Sequence, residues 1–330
     1  MLPCTSNPLI HLSNPTFQNF SFHSLSLPLK KPEKTNQVKM ATSRLPLFFT
    51  LSLLYLCNML SFPMAKPANF GRDFRVTWAG SHITELNNGT SLQLLLDQFS
   101  GCGFASKNKF MFGRVSMKIK LIAGDSAGTV TAFYLSSETD KVRDELDFEF
   151  LGNRSGHPYT VQTNVYSHGK GDREQRVNLW FDPSSDFHTY SILWNHHHIV
   201  FFVDAVPIRV YKNNEAKGVP YPNAQPMGIY STIWNADDWA TRGGLEKIDW
   251  SRAPFYAYYK DIDIEACSTS DWQSHCSTTA SNWWDTPSYQ QLGPVQARLY
   301  RWVRMNHIVY DYCSDKSRYP VPPTECLAGI

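Results

Sequence analysis

An all-β sandwich of the jelly-roll type is the fold this 330-residue sequence predicts. Three observations carry that expectation. Short β-rich runs recur along the chain, at residues 115–122, 129–135, 159–166, 190–194, 199–203 and 207–211. Turn residues punctuate them, among them Gly124-Asp125, Ser167-His168-Gly169 and Asp204. No long helical periodicity appears before the C-terminal part, where residues 291–304 read as a helix. Roughly 200 residues suffice for one such core. The segment after Cys267 changes character and reads as an appendage packed on the sandwich.

The first 65 residues are set aside. From Met40 a basic start, an apolar run over 45–62 and Pro63-Met64-Ala65 form the pattern of a secretory signal peptide, with cleavage expected near Ala65. A membrane anchor is the competing reading, but Asn58 and Ser61 interrupt the run and it is short for a span. Residues 1–39 read as an upstream extension absent from the mature protein, with Met40 as the working start. Net charge is only +2 and the basic residues are scattered, so nothing points to a nucleic-acid partner.

Cysteine usage agrees with secretion. Of seven cysteines, Cys4 and Cys57 fall in the excluded region and Cys102 stands alone as a small buried residue. The remaining four pair most simply as Cys267–Cys276 and Cys313–Cys326. Zinc is disfavoured because close Cys-x-x-Cys pairs are absent. Two glycosylation sequons follow the set-aside region, at Asn88 and Asn153, the second directly after an acidic strand.

That strand is the most informative segment. Glu145, Asp147 and Glu149 alternate with Leu146, Phe148 and Phe150, which predicts one acidic and one apolar face. Three acids on one face repel each other, so strand stability alone does not explain them. Crowded carboxyls force one to keep a proton while another stays ionised, the division needed for a nucleophile and an acid/base. Glu145 and Glu149 have Cα atoms roughly 13 Å apart on a strand rising ~3.3 Å per residue. Inward-leaning side chains on a curved strand could reach the roughly 5–5.5 Å of a retaining glycosidase, and the inverting spacing stays open. A calcium or structural charge cluster is the alternative, although calcium usually draws its oxygens from loops.

Other segments offer sugar-binding chemistry. Gln162 and Asn164 share one face of a neighbouring predicted strand, and residues 172–176 place charges after a glycine-rich turn. Trp234 and Trp239 flank Asp237 and Asp238, and the polar neighbours of Trp239 place it in a cleft rather than the core. His196-His197-His198 reads as a surface hairpin turn, because adjacent residues of an extended chain do not all point one way.

From about residue 70 to its end, the chain resembles the plant xyloglucan endotransglucosylase/hydrolases of glycoside hydrolase family 16. The resemblance rests on residues 144–153 with the Asn153 sequon, on 160–181, 194–211 and 231–259, and on the four C-terminal cysteines. Arg143 departs from it, since many members carry His before the Asp. The resemblance implies a curved, concanavalin-like β-jelly-roll sandwich over 66–266. It also implies a disulfide-bonded extension over 267–330 that lengthens the acceptor side of an open cleft. Glu145 would be the nucleophile, Glu149 the general acid/base and Asp147 their helper. Tyr134, Gln162, Asn164, Glu174, Arg176, Trp239, Tyr310 and Arg318 would bind sugar. The implied reaction is retaining cleavage of the xyloglucan backbone, with transfer to a second xyloglucan chain. No cofactor or metal is expected. The protein would be a secreted monomer of the cell wall and apoplast, free of the membrane once its signal is removed. A hydrolase of xyloglucan or mixed-linkage glucan is the nearest alternative, and a non-catalytic β-glucan-binding jelly roll the more distant one.

Overall fold

The computed structural model describes residues 68–269 and 282–327, all within the unit Ala65–Ile330. The signal-peptide and upstream readings, and Cys276, lie outside the described residues. Among the described residues are fourteen strands. In chain order they are β1 (Phe74–Trp78), β2 (Ile83–Leu86), β3 (Ser91–Leu96), β4 (Cys102–Lys120), β5 (Thr129–Ser136), β6 (Glu145–Leu151) and β7 (Thr160–Tyr166). They continue as β8 (Gln175–Asn178), β9 (His188–Trp194), β10 (His198–Val203), β11 (Val206–Lys212), β12 (Met227–Asn235), β13 (Phe255–Ser268) and β14 (Ile308–Asp311).

The strands pair antiparallel in two layers that share β4. One layer runs β14-β8-β7-β6-β5-β12-β4-β1, the other β11-β10-β9-β4-β13-β3-β2. β4 serves both because it changes neighbours midway. Residues 102–110 pair with β12 and residues 113–119 with β9. At the change Phe112 takes φ 62° and Gly113 φ 125°. Glycine is required there, since a Cβ on Gly113 would come within 2.4 Å of the Ala266 Cα. The sequence reading saw only the second half of this 19-residue strand, because Ser106, Lys107, Asn108 and Lys109 interrupt the apolar pattern of the first.

Between the layers lies the core. The apolar face of β6 supplies Leu146, Phe148 and Phe150, all buried. Phe148 stacks on Phe133 of β5 at 6.0 Å and meets Phe201 of β10 edge-on at 5.2 Å; Phe150 meets Tyr190 of β9 at 4.5 Å. Each fully buried aromatic contributes about 1.5–3 kcal/mol, so this packing fixes which face of β6 looks outward. The acids therefore face the other side of the sheet.

The C-terminal segment folds as expected in outline. A helix spans Pro294–Asn306, with proline tolerated at its first turn. β14 then adds itself to β8, with Tyr310 opposite Arg176. The Cys313–Cys326 disulfide forms as expected, and Cys102 is free and buried. Cys267 is disulfide-bonded. The three histidines lie at the β9–β10 turn, but only the first two are accessible; His198 opens β10 and is buried. Non-reducing peptide mapping is expected to recover Cys313–Cys326 and Cys267–Cys276 as linked pairs. Cys102 should resist alkylation until the protein is unfolded, because burial pushes its thiol up to about 12. Crossed pairs would reject this connectivity.

Candidate active site

β6 sits in the interior of its layer, and cross-strand register assigns every acid two neighbours. Glu145 faces Ser136 on β5 and Tyr166 on β7. Asp147 faces Tyr134 and Asn164, and Glu149 faces Ala132 and Gln162. Directly opposed residues share a sheet face, and all of these side chains except Ser136 line one cleft of about 690 Å³. All three acids and all eight residues singled out as sugar contacts line it: Tyr134, Gln162, Asn164, Glu174, Arg176, Trp239, Tyr310 and Arg318.

The acids differ in their partners. Arg143 approaches Glu145 at 3.2 Å and lays its guanidinium 4.6 Å from the Tyr166 ring centroid. Burial raises the Glu145 carboxyl above its ordinary range, and the Arg143 charge opposes that rise. The Asp147 carboxyl, between the two glutamates, is pushed well above its ordinary range, first by burial and then by the charges of Glu145 and Glu149. It makes no hydrogen bond to either glutamate; its coupling to them is electrostatic. Glu149 accepts a hydrogen bond from Gln162 Nε2 at 2.5 Å, and Gln162 Oε1 accepts from Arg176 Nε at 2.7 Å. Burial pushes Glu149 up to about 6 despite that bond. One end of the strand thus carries a carboxyl beside a cation, and the other a carboxyl poised to hold a proton near pH 6. Protons leave such a cluster in shared steps rather than residue by residue.

The C-terminal segment builds one end of the cleft. Arg318 donates to Glu174 at 2.7 Å and to Asp172 at 2.7 Å, and reaches the Tyr310 hydroxyl at 3.4 Å. Tyr310 donates to Asp315 at 3.0 Å, and Arg176 lies 5.5 Å from its ring centroid. Behind them Arg173 is buried and bonded to Glu325 at 2.7 Å and to the carbonyls of Val165, Lys170 and Gly171. Asn164 is fixed in a similar way, its Oδ1 accepting from the backbone of Val165 and Arg173. Trp234 and Trp239, 6.0 Å apart, cover a small apolar cluster of Val130, Ala132 and Leu151 beyond Glu149.

Sequence reasoning missed Tyr166, Ala132, Thr232 and Asp315 as cleft residues, and it treated Arg143 as only a departure from a pattern. Pairing β7 against β6 from Gln162 opposite Glu149 would have delivered Tyr166 opposite Glu145. A sheet face presenting paired carboxyls, amides, guanidinium groups and indoles is the working surface of a carbohydrate-active enzyme.

Comparison with known proteins agrees. The family model "Glycosyl hydrolases family 16" matches residues 70–252, and "Xyloglucan endo-transglycosylase (XET) C-terminus" matches residues 278–326. The chain is 69% identical over 283 residues to "Probable xyloglucan endotransglucosylase/hydrolase protein 7" of Arabidopsis thaliana, covering 86% of this chain and 96% of that protein. It is also 69% identical over 264 residues to "Probable xyloglucan endotransglucosylase/hydrolase protein 6" of the same plant, covering 80% and 90%. Among solved structures, an apo Crh5 transglycosylase superposes with a TM-score of 0.50 at 26% identity, covering 61% of this chain and 83% of that one. The chain belongs to glycosyl hydrolases family 16 and, within it, to the xyloglucan endotransglucosylase/hydrolases.

Proposed function

We propose that this enzyme cleaves the β-1,4-glucan backbone of xyloglucan with retention and passes the cleaved chain to a second xyloglucan. The observation that carries this reading is the split environment of Glu145 and Glu149 on one strand, in a chain whose relatives bear that activity in their names. Glu145, with Arg143 beside it, is the nucleophile. Glu149 protonates the leaving glycosidic oxygen as Glu145 attacks the sugar carbon. It then takes the proton of the incoming acceptor hydroxyl as the glycosyl–Glu145 bond breaks. Asp147 holds a proton between them and keeps their charges apart. Arg176, Trp239, Tyr310, Arg318 and Glu174 hold the acceptor, and the remaining cleft residues hold the donor. Incubation with xyloglucan and a labelled xyloglucan oligosaccharide tests the reading. Label is expected to move into polymer; its failure to do so, with the polymer intact, would overturn the assignment.

The pH dependence follows from Glu149. The first step needs its proton, so the rate is expected to fall as pH rises through about 6. Gln162 donates to the carboxylate and so favours the ionised form. Gln162→Leu is therefore expected to move the alkaline limb to higher pH, and an unmoved limb would show that Glu149 does not set it.

Partition between sugar and water is decided on the acceptor side. Trp239→Ala should weaken acceptor use more than first-step attack, so transfer falls and the hydrolytic fraction rises. Chain cleavage and acceptor incorporation followed in one reaction will show it. Equal loss of both would make Trp239 a fold residue or a donor contact.

Secretion to the cell wall as a monomeric glycoprotein belongs to the same proposal. It is supported by the signal pattern ending near Ala65 and by the disulfide. Both sequon asparagines lie in loops: Asn88 is exposed in the turn before β3, and Asn153 is half-buried after β6.

A further inference from the structure

The row of residues that contains Glu149 does not stop at the edge of the cleft. Register carries it from Glu149 on β6 to Ala132 on β5, Thr232 on β12, Gly103 on β4 and Trp78 on β1. Ala132 and Thr232 line the cleft, so Gly103 and Trp78 continue the same face. A Cβ on Gly103 would lie 2.3 Å from Trp78 Cζ3 and 2.9 Å from Cε3, so the six-membered ring of the indole rests on the Gly103 backbone. A register shift between Val76 and Trp78 brings the tryptophan, rather than Thr77, opposite Gly103. Trp78 is nevertheless 41% exposed, which leaves much of a large apolar ring turned to solvent in line with the reacting groups.

Small residues fill the interval, and polar groups flank it. On the adjacent row Arg75 faces Ala105, which faces Tyr230, which stacks on Tyr134 at 5.1 Å beside Asp147. Arg75 Nη2 donates to Glu138 at 3.2 Å across that row. Strands lie about 4.8 Å apart, so the four steps from β6 to β1 place Trp78 about 19 Å from Glu149. β1 lies on the side of β6 opposite β14.

We propose that Trp78 is a stacking platform for a distal sugar of the donor chain, at the end of the cleft away from the C-terminal segment. The inference rests on the xyloglucan reading above, with acceptor bound on the β14 side. A flat ring backed by glycine meets the apolar face of a pyranose without blocking the chain's path. It grips only donors long enough to cross Ala132 and Thr232, so the enzyme discriminates by donor length.

The test uses the full chain with Trp78→Ala and Trp78→Leu, the second retaining apolar cover over Gly103. Each is assayed with polymeric xyloglucan and with a xyloglucan oligosaccharide whose donor-side portion is shorter than about 19 Å, against one labelled acceptor. The expected result is a KM for polymer raised about tenfold in both variants, with kcat and short-donor kinetics parental. A parental KM on polymer overturns the proposal, as does an equal loss on both donors, which would mark Trp78 as a fold residue. Absence of any parental turnover on polymer would instead remove the xyloglucan reading on which it stands.

Discussion

Replacing Glu145 by alanine is expected to abolish transfer and hydrolysis together, by about 10⁴-fold or more, because no other side chain can form the glycosyl-enzyme. The fold should survive, since the side chain projects into the cleft and the core face of β6 is untouched. Thermal stability at pH 7 should be equal or higher. Burial raises the carboxyls of Glu145, Asp147 and Glu149, and neighbouring carboxylates raise the last two further, so these groups stabilise the fold when protonated and cost it stability as pH climbs through their folded values. Removing one charge relieves the other two. Circular dichroism melts beside an activity assay check both halves. A folded variant with near-parental turnover sinks the nucleophile assignment.

Glu149→Gln is expected to separate the two steps of the reaction. The amide keeps the contact with Gln162 but cannot deliver a proton, so turnover of xyloglucan should fall about 10²–10⁴-fold. A donor carrying a leaving group that departs as a stable anion needs no such proton. With it the first step should proceed at near-parental rate, leaving a glycosyl–Glu145 adduct detectable by mass spectrometry of the intact protein. The alkaline limb near pH 6 should disappear from that first step. Equal loss on both donors would argue that Glu149 acts in binding or structure rather than as the acid.

The catalytic strand was legible because its chemistry and its periodicity coincide. Alternation at Glu145, Asp147 and Glu149 fixes a shared face without knowledge of any neighbour. Gln162 and Asn164 were legible for the same reason. Tyr166 and Arg143 were not, because Tyr166 earns its place by standing opposite Glu145, and Arg143 by bridging them from outside the strand. Register is a property of strand pairs, so it stays hidden in a single run of residues. The first half of β4 was obscured differently. Ser106 and Lys109 read as loop-like, yet Ser106 bonds Asn108 and the backbone of Ile229, and Lys109 reaches the carbonyl of Ser137. Long-range partners make those polar residues compatible with a strand.

The pairing of β14 with β8 has a consequence beyond substrate contact. Without β14, β8 would end its layer with a row of unsatisfied amides and carbonyls, the kind of border on which chains stick to one another. The same short strand therefore covers that border, becoming the four-residue edge of the layer itself, and supplies Tyr310 to the cleft. Shortening the tail would remove a safeguard against aggregation along with part of the binding surface.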